Sequence, residues 1–198
     1  MAQAAAEFGP PDIVINSAGI AVAGEFANLS IEGFDRVMQV NLYGSRHICE
    51  AVLPFMRERR RGQIVLVASM GGCIAIYGYT NYSTSKFAVR GFAEALHYEL
   101  KPLGISVLCL CPGEVDTPMV AAEHKSIHPA TWAQKKLGGT IPVGTAVRDL
   151  IKGLRKDSPV IITGGMSRAA FWINRLLPPR WWFAFNDATV AKALRNMK

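Results

Sequence analysis

Long hydrophobic runs are missing from this sequence: in 198 residues no apolar stretch approaches the about 20 needed to cross a bilayer. A secretory start is missing too, since "MAQAAAEFG" has no basic opening and no long apolar core. The four cysteines (Cys49, Cys73, Cys109, Cys111) show neither CxxC nor histidine-interleaved spacing, which excludes a zinc ribbon or dithiol motif. They read as buried, reduced thiols of a reducing compartment. His47, His97, His124 and His128 form no triad and no metal spacing. Charge is sparse at 19% and half the residues are hydrophobic, which excludes a disordered chain. The net charge is +7, and its densest cluster, "RERRRG" (57–62), falls where a helix should end. Cations there complement the helix dipole. No aromatic-interleaved strand accompanies them, so no nucleic-acid partner is implied. A cytoplasmic protein is expected, with at most peripheral membrane contact.

What is present alternates. "PDIVIN" (11–16), "QIVLVAS" (63–69) and "ISVLCLC" (105–111) read as strands, apolar on both faces. Between them lie helical patterns over 30–62, with Ser30 as N-cap and Gly62 as stop, and over 81–101. An irregular stretch follows, then a helix near 144–156 and a short strand "PVIIT" (159–163). Doubly apolar strands separated by helices predict an α/β fold with a parallel sheet covered on both sides. Cys109 and Cys111, two apart, should point the same way. No internal repeat or low-complexity linker occurs. Residues 1–163 are expected to form the sheet domain, and 164–198 a tail of two helices broken at Pro178 and Pro179.

Ligands of open parallel sheets bind beyond the carboxyl ends of the strands. Polar features stand there: "NSAG" (16–19), Ser69, and "PGEVDTPM" (112–119). "TNYSTSKFAVRGF" (80–92) sets Tyr82 and Lys86 one helical turn apart on one face. Such a pair is either a surface contact or a tuned proton donor, and its companions decide between the two.

Those companions resemble the short-chain dehydrogenase/reductase family. The motifs are "NSAG", the asparagine in "VNLYG" (40–44), the serine ending "IVLVAS" (64–69), "YSTSK" (82–86) and "PGEVDTP" (112–118). Each is weak alone; their order, with thirteen positions from Ser69 to Tyr82, is specific over residues 8 to about 120. The family more often has NNAG, so Ser17 is a mild departure. The resemblance implies a Rossmann-like doubly wound sheet and NADP or NAD as cofactor. It implies Tyr82 as general acid in ketone reduction and base in alcohol oxidation. Lys86 would lower the phenol's affinity for its proton and hold the nicotinamide ribose. Ser69 would orient the substrate oxygen, and Asn41 would anchor a proton-relay water. Asn16, Ala18 and Gly19 would flank the adenosine half of the cofactor; Pro112, Gly113, Val115 and Thr117 would meet the nicotinamide end. Thr117 could also cap a helix before Pro118.

The family's TGxxxGxG pyrophosphate turn does not occur in the sequence. The first strand corresponds to the family's fourth, so a partial, N-terminally truncated Rossmann-like sheet is expected. Three strands, on the order of two βαβ units of roughly 30 residues each, would be missing. "DIVI" would then be an edge strand despite two apolar faces.

The tail "FWINRLLPPRWWFAF" (171–185) mixes aromatic, apolar and basic residues. It reads either as a lid over a substrate pocket or as a membrane-interface segment. The core "PFMRERRRGQIV…YSTSKFAVRGFAEAL" resembles that of family members of the 3-ketodihydrosphingosine reductase kind, which act on long-chain ketolipids. The expected activity is NAD(P)-dependent interconversion of a ketone and a secondary alcohol on a small lipophilic substrate. The alternative is a cofactor-deficient remnant acting only by protein association. The long helices resemble those with which the family packs dimers, so a homo-oligomer is expected.

Overall fold

The computed structural model describes residues 2–124 and 127–197. Met1, Lys125, Ser126 and Lys198, which the expected domain boundaries include, lie outside the described residues. The main sheet has four parallel strands in the order β1 (Ile13–Asn16), β2 (Gly62–Val67), β3 (Ile105–Cys111) and β6 (Val160–Ile162). Its register pairs Asn16 with Leu66, Val67 with Leu110 and Cys111 with Ile162, so the strands end close to one line. A separate two-stranded parallel ladder joins β4 (Glu114–Val115) to β5 (Thr140–Ile141).

One face of the sheet is closed by α3 (Gly44–Arg59) and α4 (Thr80–Leu100). The α3 stripe Cys49, Val52, Met56 and the α4 residues Val89, Ala93, Leu100 pack on Ile64, Leu66, Ile105, Val107, Cys109 and Cys111. Cys109 and Cys111 do share that face, with sulfurs 3.7 Å apart. The other face carries a smaller cluster, in which Leu150 and Leu154 of α7 (Val143–Arg155) cover Val65, Leu108, Leu110 and Ile161. Here the structure departs from a fully covered sheet. β1 lies at the edge, and its Ile13 and Ile15 are half exposed because α7 sits over β3 and β6.

Ser30 caps α2 (Ile31–Met38) as expected, its Oγ accepting from the Gly33 N–H at 3.1 Å. The single helix expected over 30–62 differs in two ways. A π-helical turn, Gln39–Tyr43, joins α2 to α3, closed by the Gly44 N–H donating to the Gln39 carbonyl five residues back. The helix also stops at Arg60, in the left-handed region at φ 50°, and Gly62 instead opens β2. Gly62 has to be glycine: its φ is 155°, and a Cβ would stand 2.5 Å from the Met56 sulfur. Arg59, from the basic cluster, is tied to Asp12 at 2.9 Å and to the Pro11 carbonyl, bracing the entry to β1.

The stretch read as irregular contains α5 (Pro118–Glu123) and α6 (Pro129–Lys136) besides the β4–β5 ladder. The tail is two helices, α8 (Gly165–Leu176) and α9 (Pro179–Arg195), the second lying along α6. Among the described residues no helix is long and apolar enough to cross a membrane.

Candidate active site

Beyond the carboxyl ends of β1, β2 and β3 opens a cavity of about 490 Å³. Ser69 stands just past β2 in extended conformation, before a 3-10 turn over Met70–Gly72. Its Oγ accepts from the Gly71 N–H at 3.0 Å, which fixes the turn. Gly71 is small for a reason. A Cβ there would lie 3.2 Å from the Tyr82 ring and 3.5 Å from the Ser69 Oγ, so its hydrogen lets the two side chains share one wall.

Tyr82 enters from the first turn of α4, with Lys86 one turn later. The Lys86 ammonium lies 5.7 Å from the Tyr82 ring centroid and donates to the Val67 carbonyl at 3.0 Å. Burial lowers its pKa from 10.5 to about 8, with Cys109 and Cys111 pulling the other way. Burial also holds the Tyr82 phenol above the ordinary tyrosine range. The Ser69 hydroxyl and then the Lys135 ammonium oppose that rise. The Lys86 ammonium itself is turned toward the Val67 carbonyl.

Asn41 sits in the π turn and is almost wholly buried. Its Oδ1 accepts from the Ile20 N–H at 2.8 Å, and its Nδ2 donates to the Ile20 carbonyl at 3.0 Å and to Ser85 Oγ at 2.8 Å. This clamps the loop after β1 onto α4. Asn16 ties the end of β1 to α3 instead, donating to Ser45 Oγ at 3.0 Å while its Oδ1 accepts from the Ala18 N–H at 3.3 Å. Gly19 passes so close that a Cβ would be 3.2 Å from both Asn41 Oδ1 and Lys86 Nζ.

Of the residues expected at the site, Gly19, Ser69, Tyr82, Lys86, Pro112, Gly113, Val115 and Thr117 line the cavity. Asn16 and Asn41 are buried behind its wall, and Ala18 is exposed outside it. Thr117 also caps α5, its Oγ1 accepting from the Val120 N–H at 3.4 Å. At Gly113 a Cβ would fall 2.2 Å from Ser167 Oγ, so glycine there admits the start of α8.

The sequence profile described as short chain dehydrogenase matches residues 1–127. The chain belongs to the short-chain dehydrogenase family. A 3-ketodihydrosphingosine reductase of Bos taurus is 43% identical over 124 residues, 63% of this chain and 37% of that protein. The chain thus matches little more than a third of that relative's length. A short-chain dehydrogenase structure from Streptomyces avermitilis superposes with a TM-score of 0.75, covering 88% of this chain and 68% of its own at 26% identity. An actinorhodin polyketide ketoreductase crystallised with NADPH gives 0.61 at 39% identity, covering 63% of this chain and 48% of its own. Parallel sheet, flanking helices and strand-end cavity are what membership of the short-chain dehydrogenase family entails.

Some lining residues escape a reading of short-chain dehydrogenase motifs. Lys135 of α6, Glu114 of β4 and Glu123 of α5 form a charged wall, and Trp182 and Asn186 of α9 close another side. Glu114 stands inside the recognised "PGEVDTP", yet its partners Lys135 and Thr140 arrive through the β4–β5 pairing, which no local pattern announces. Trp182 and Asn186, four apart in the aromatic tail, share one side of α9 and line the cavity. Trp181 and Phe183, flanking Trp182, are well exposed. The side of α9 that lines the cavity and its exposed aromatic residues are thus different faces of one helix.

Proposed function

We propose that this chain carries the acid–base half of an NAD(P)H-dependent reductase converting a lipophilic ketone to a secondary alcohol. The observation that carries the reading is the meeting of Ser69, Tyr82 and Lys86 on one wall of a cavity otherwise lined largely by apolar side chains, Ile74, Val120 and Leu137 among them. A ketone oxygen between Ser69 and Tyr82 accepts the Ser69 hydroxyl proton as a hydrogen bond and takes the Tyr82 proton outright. Developing negative charge is met there by two donors set in a largely apolar lining, where such bonds are worth more than in water. Tyr82, held protonated by burial, suits the role of acid in the reductive direction.

The residues present fit the nicotinamide end of a dinucleotide. Gly19 leaves a cradle beside Asn41 and Lys86 that a Cβ would fill, and Lys86 has its ammonium at that cradle. The pyrophosphate turn of the family does not occur in the sequence. When bound, the cofactor supplies the hydride to the carbonyl carbon. Tyr82, Ser69 and Lys86 supply the proton, the orientation and the ribose contacts.

The lipophilic substrate class rests on the apolar lining and on the similarity to 3-ketodihydrosphingosine reductases. Each buried methylene is worth about 0.8 kcal/mol, roughly four-fold in kcat/KM. A homologous series of long-chain ketones should therefore climb by that step until the cavity is full. Peripheral contact with a bilayer is supported by exposed Trp172, Leu176, Trp181 and Phe183 beside Arg175 and Arg180. Association of copies through α3 and α4 draws on exposed Tyr43, Phe87 and Tyr98 on or beside them.

The test is NADPH and NADH oxidation with 3-ketodihydrosphingosine as substrate. Tyr82→Phe should cost roughly 10²–10⁴-fold in turnover while near-UV circular dichroism stays unchanged. Ser69→Ala should cost on the order of 10²-fold. Undiminished turnover in Tyr82→Phe overturns the reading.

A further inference from the structure

The charged wall of Lys135, Glu114 and Glu123 makes no contact with the reacting atoms in the chemistry described above, and its composition is unusual. Lys135 is nearly buried, with its side chain 11% exposed. Its ammonium pairs with Glu114 Oε2 at 2.8 Å and Glu123 Oε2 at 3.0 Å, and donates to the Tyr79 hydroxyl at 3.1 Å. It also stands 5.6 Å from the Tyr79 ring centroid, and that ring meets Tyr82 edge-on with centroids 5.3 Å apart. Glu114 is the most buried of the set at 7% exposure, and further accepts from Thr140 Oγ1 at 2.6 Å and faces His124 Nε2 at 3.1 Å. Burial opposes ionisation of Glu114, but hydrogen bonds from Lys135, Thr140 and His124 outweigh it and keep its carboxyl below the ordinary range.

We propose that Lys135 is a positioning residue that sets the proton affinity of Tyr82 from across the cavity, with Glu114 and Glu123 metering how much of its charge the phenol feels. The proposal rests on the reading of Tyr82 as the proton donor. The geometry gives it two opposite levers. One ammonium lines the cavity that the phenol lines, one aromatic ring away from it, and favours phenolate; two carboxylates share that ammonium and withhold part of its field. A mere strut would behave otherwise, since cutting any member would loosen the wall in the same sense. Among the described residues, Lys86 and Tyr79 lie against the Tyr82 ring, Lys135 of α6, Glu114 of β4 and Glu123 of α5 share the cavity lining with it, and His124 faces Glu114 behind them.

The two levers predict shifts of opposite sign. Lys135→Met removes the cation and uncovers two carboxylates, so the Tyr82 midpoint should rise by about one pH unit or more. Lys135→Arg keeps the charge and should restore the parent value to within a few tenths. Glu123→Gln or Glu114→Gln frees the ammonium and should lower the midpoint by about half a unit.

The experiment is 19F NMR of the chain labelled with 3-fluorotyrosine, a more acidic phenol than tyrosine, titrated through the pH range in which the fold persists. There are five tyrosines, and the Tyr82 resonance is assigned as the one lost in Tyr82→Phe. Near-UV circular dichroism at each pH checks the fold. A Tyr82 midpoint that ignores Lys135→Met in a folded chain overturns the proposal. So does an upward shift in Glu123→Gln, which stands as an independent arm if Lys135→Met does not fold. The readout needs no turnover. A midpoint that follows the charges in a chain that reduces no ketone would sink the proposed function and leave this inference standing.

Discussion

Lys86 is 5% exposed, and its ammonium has the Val67 carbonyl as hydrogen-bond partner and no ion pair among the described residues. A buried cation held so sparingly is costly. With its pKa falling from 10.5 to about 8, the unfolded chain binds one more proton than the native one between those values. Stability must then rise with pH across that window, and the penalty is fully present below pH 8. The parent should gain on the order of 3 kcal/mol relative to Lys86→Met between pH 7.5 and 10.5, read by urea unfolding of both at each pH. A flat difference would mean the ammonium is better solvated than its burial implies. Tyr82, Lys86 and Ser69 are legible in the sequence because each stands in a contiguous motif at a strand end or helix start. Lys135 is not, because "QKKLGG" looks like an ordinary basic helix end until Glu114 and Glu123 are seen against it.

At the scale of elements, the turn over Met70–Gly72 seats Ser69 against α4, and the seat is tight. A Cβ on Gly72 would stand 2.5 Å from the Lys86 carbonyl oxygen, which belongs to helix backbone and has no room to yield. Gly72→Ala should destabilise the chain by about 1–3 kcal/mol. It should also push Ser69 and Tyr82 apart, so turnover should fall further than in a surface Gly91→Ala control. Denaturant midpoints and initial rates of the two variants check this. Gly91 has nothing within 4 Å of its would-be Cβ. The long strands and helices are readable because hydrophobic period and length identify them without help. The two-residue strands β4 and β5 are not: Glu114 pairs with Thr140 across a separation that no window of sequence spans. The π turn hides for a different cause. A one-residue excess inside a long helix leaves the apolar pattern on each side intact and shifts only the phase between them.

For the whole molecule, positive charge and exposed aromatic surface coincide on the α8–α9 tail. With a net charge of +7, the chain should associate with vesicles containing anionic lipid more than with neutral ones. Raising ionic strength should weaken that binding. Trp181→Ser combined with Phe183→Ser should reduce cosedimentation several-fold, whereas the same change at exposed Ile13 and Ile15 should not. Equal binding by both pairs would assign the contact to general stickiness. The π turn over Gln39–Tyr43 has a further consequence, which concerns length and not chemistry. It acts as a phase shifter between the loop clamp at Asn41 and the core stripe Ser45, Cys49, Val52 and Met56. Deleting any one residue of the turn would make a more regular helix and rotate all that follows by about 100°. Cavity wall and sheet cover could not then both be in register. In this stretch the fold therefore counts residues, and it should tolerate many substitutions there but no change of one in number.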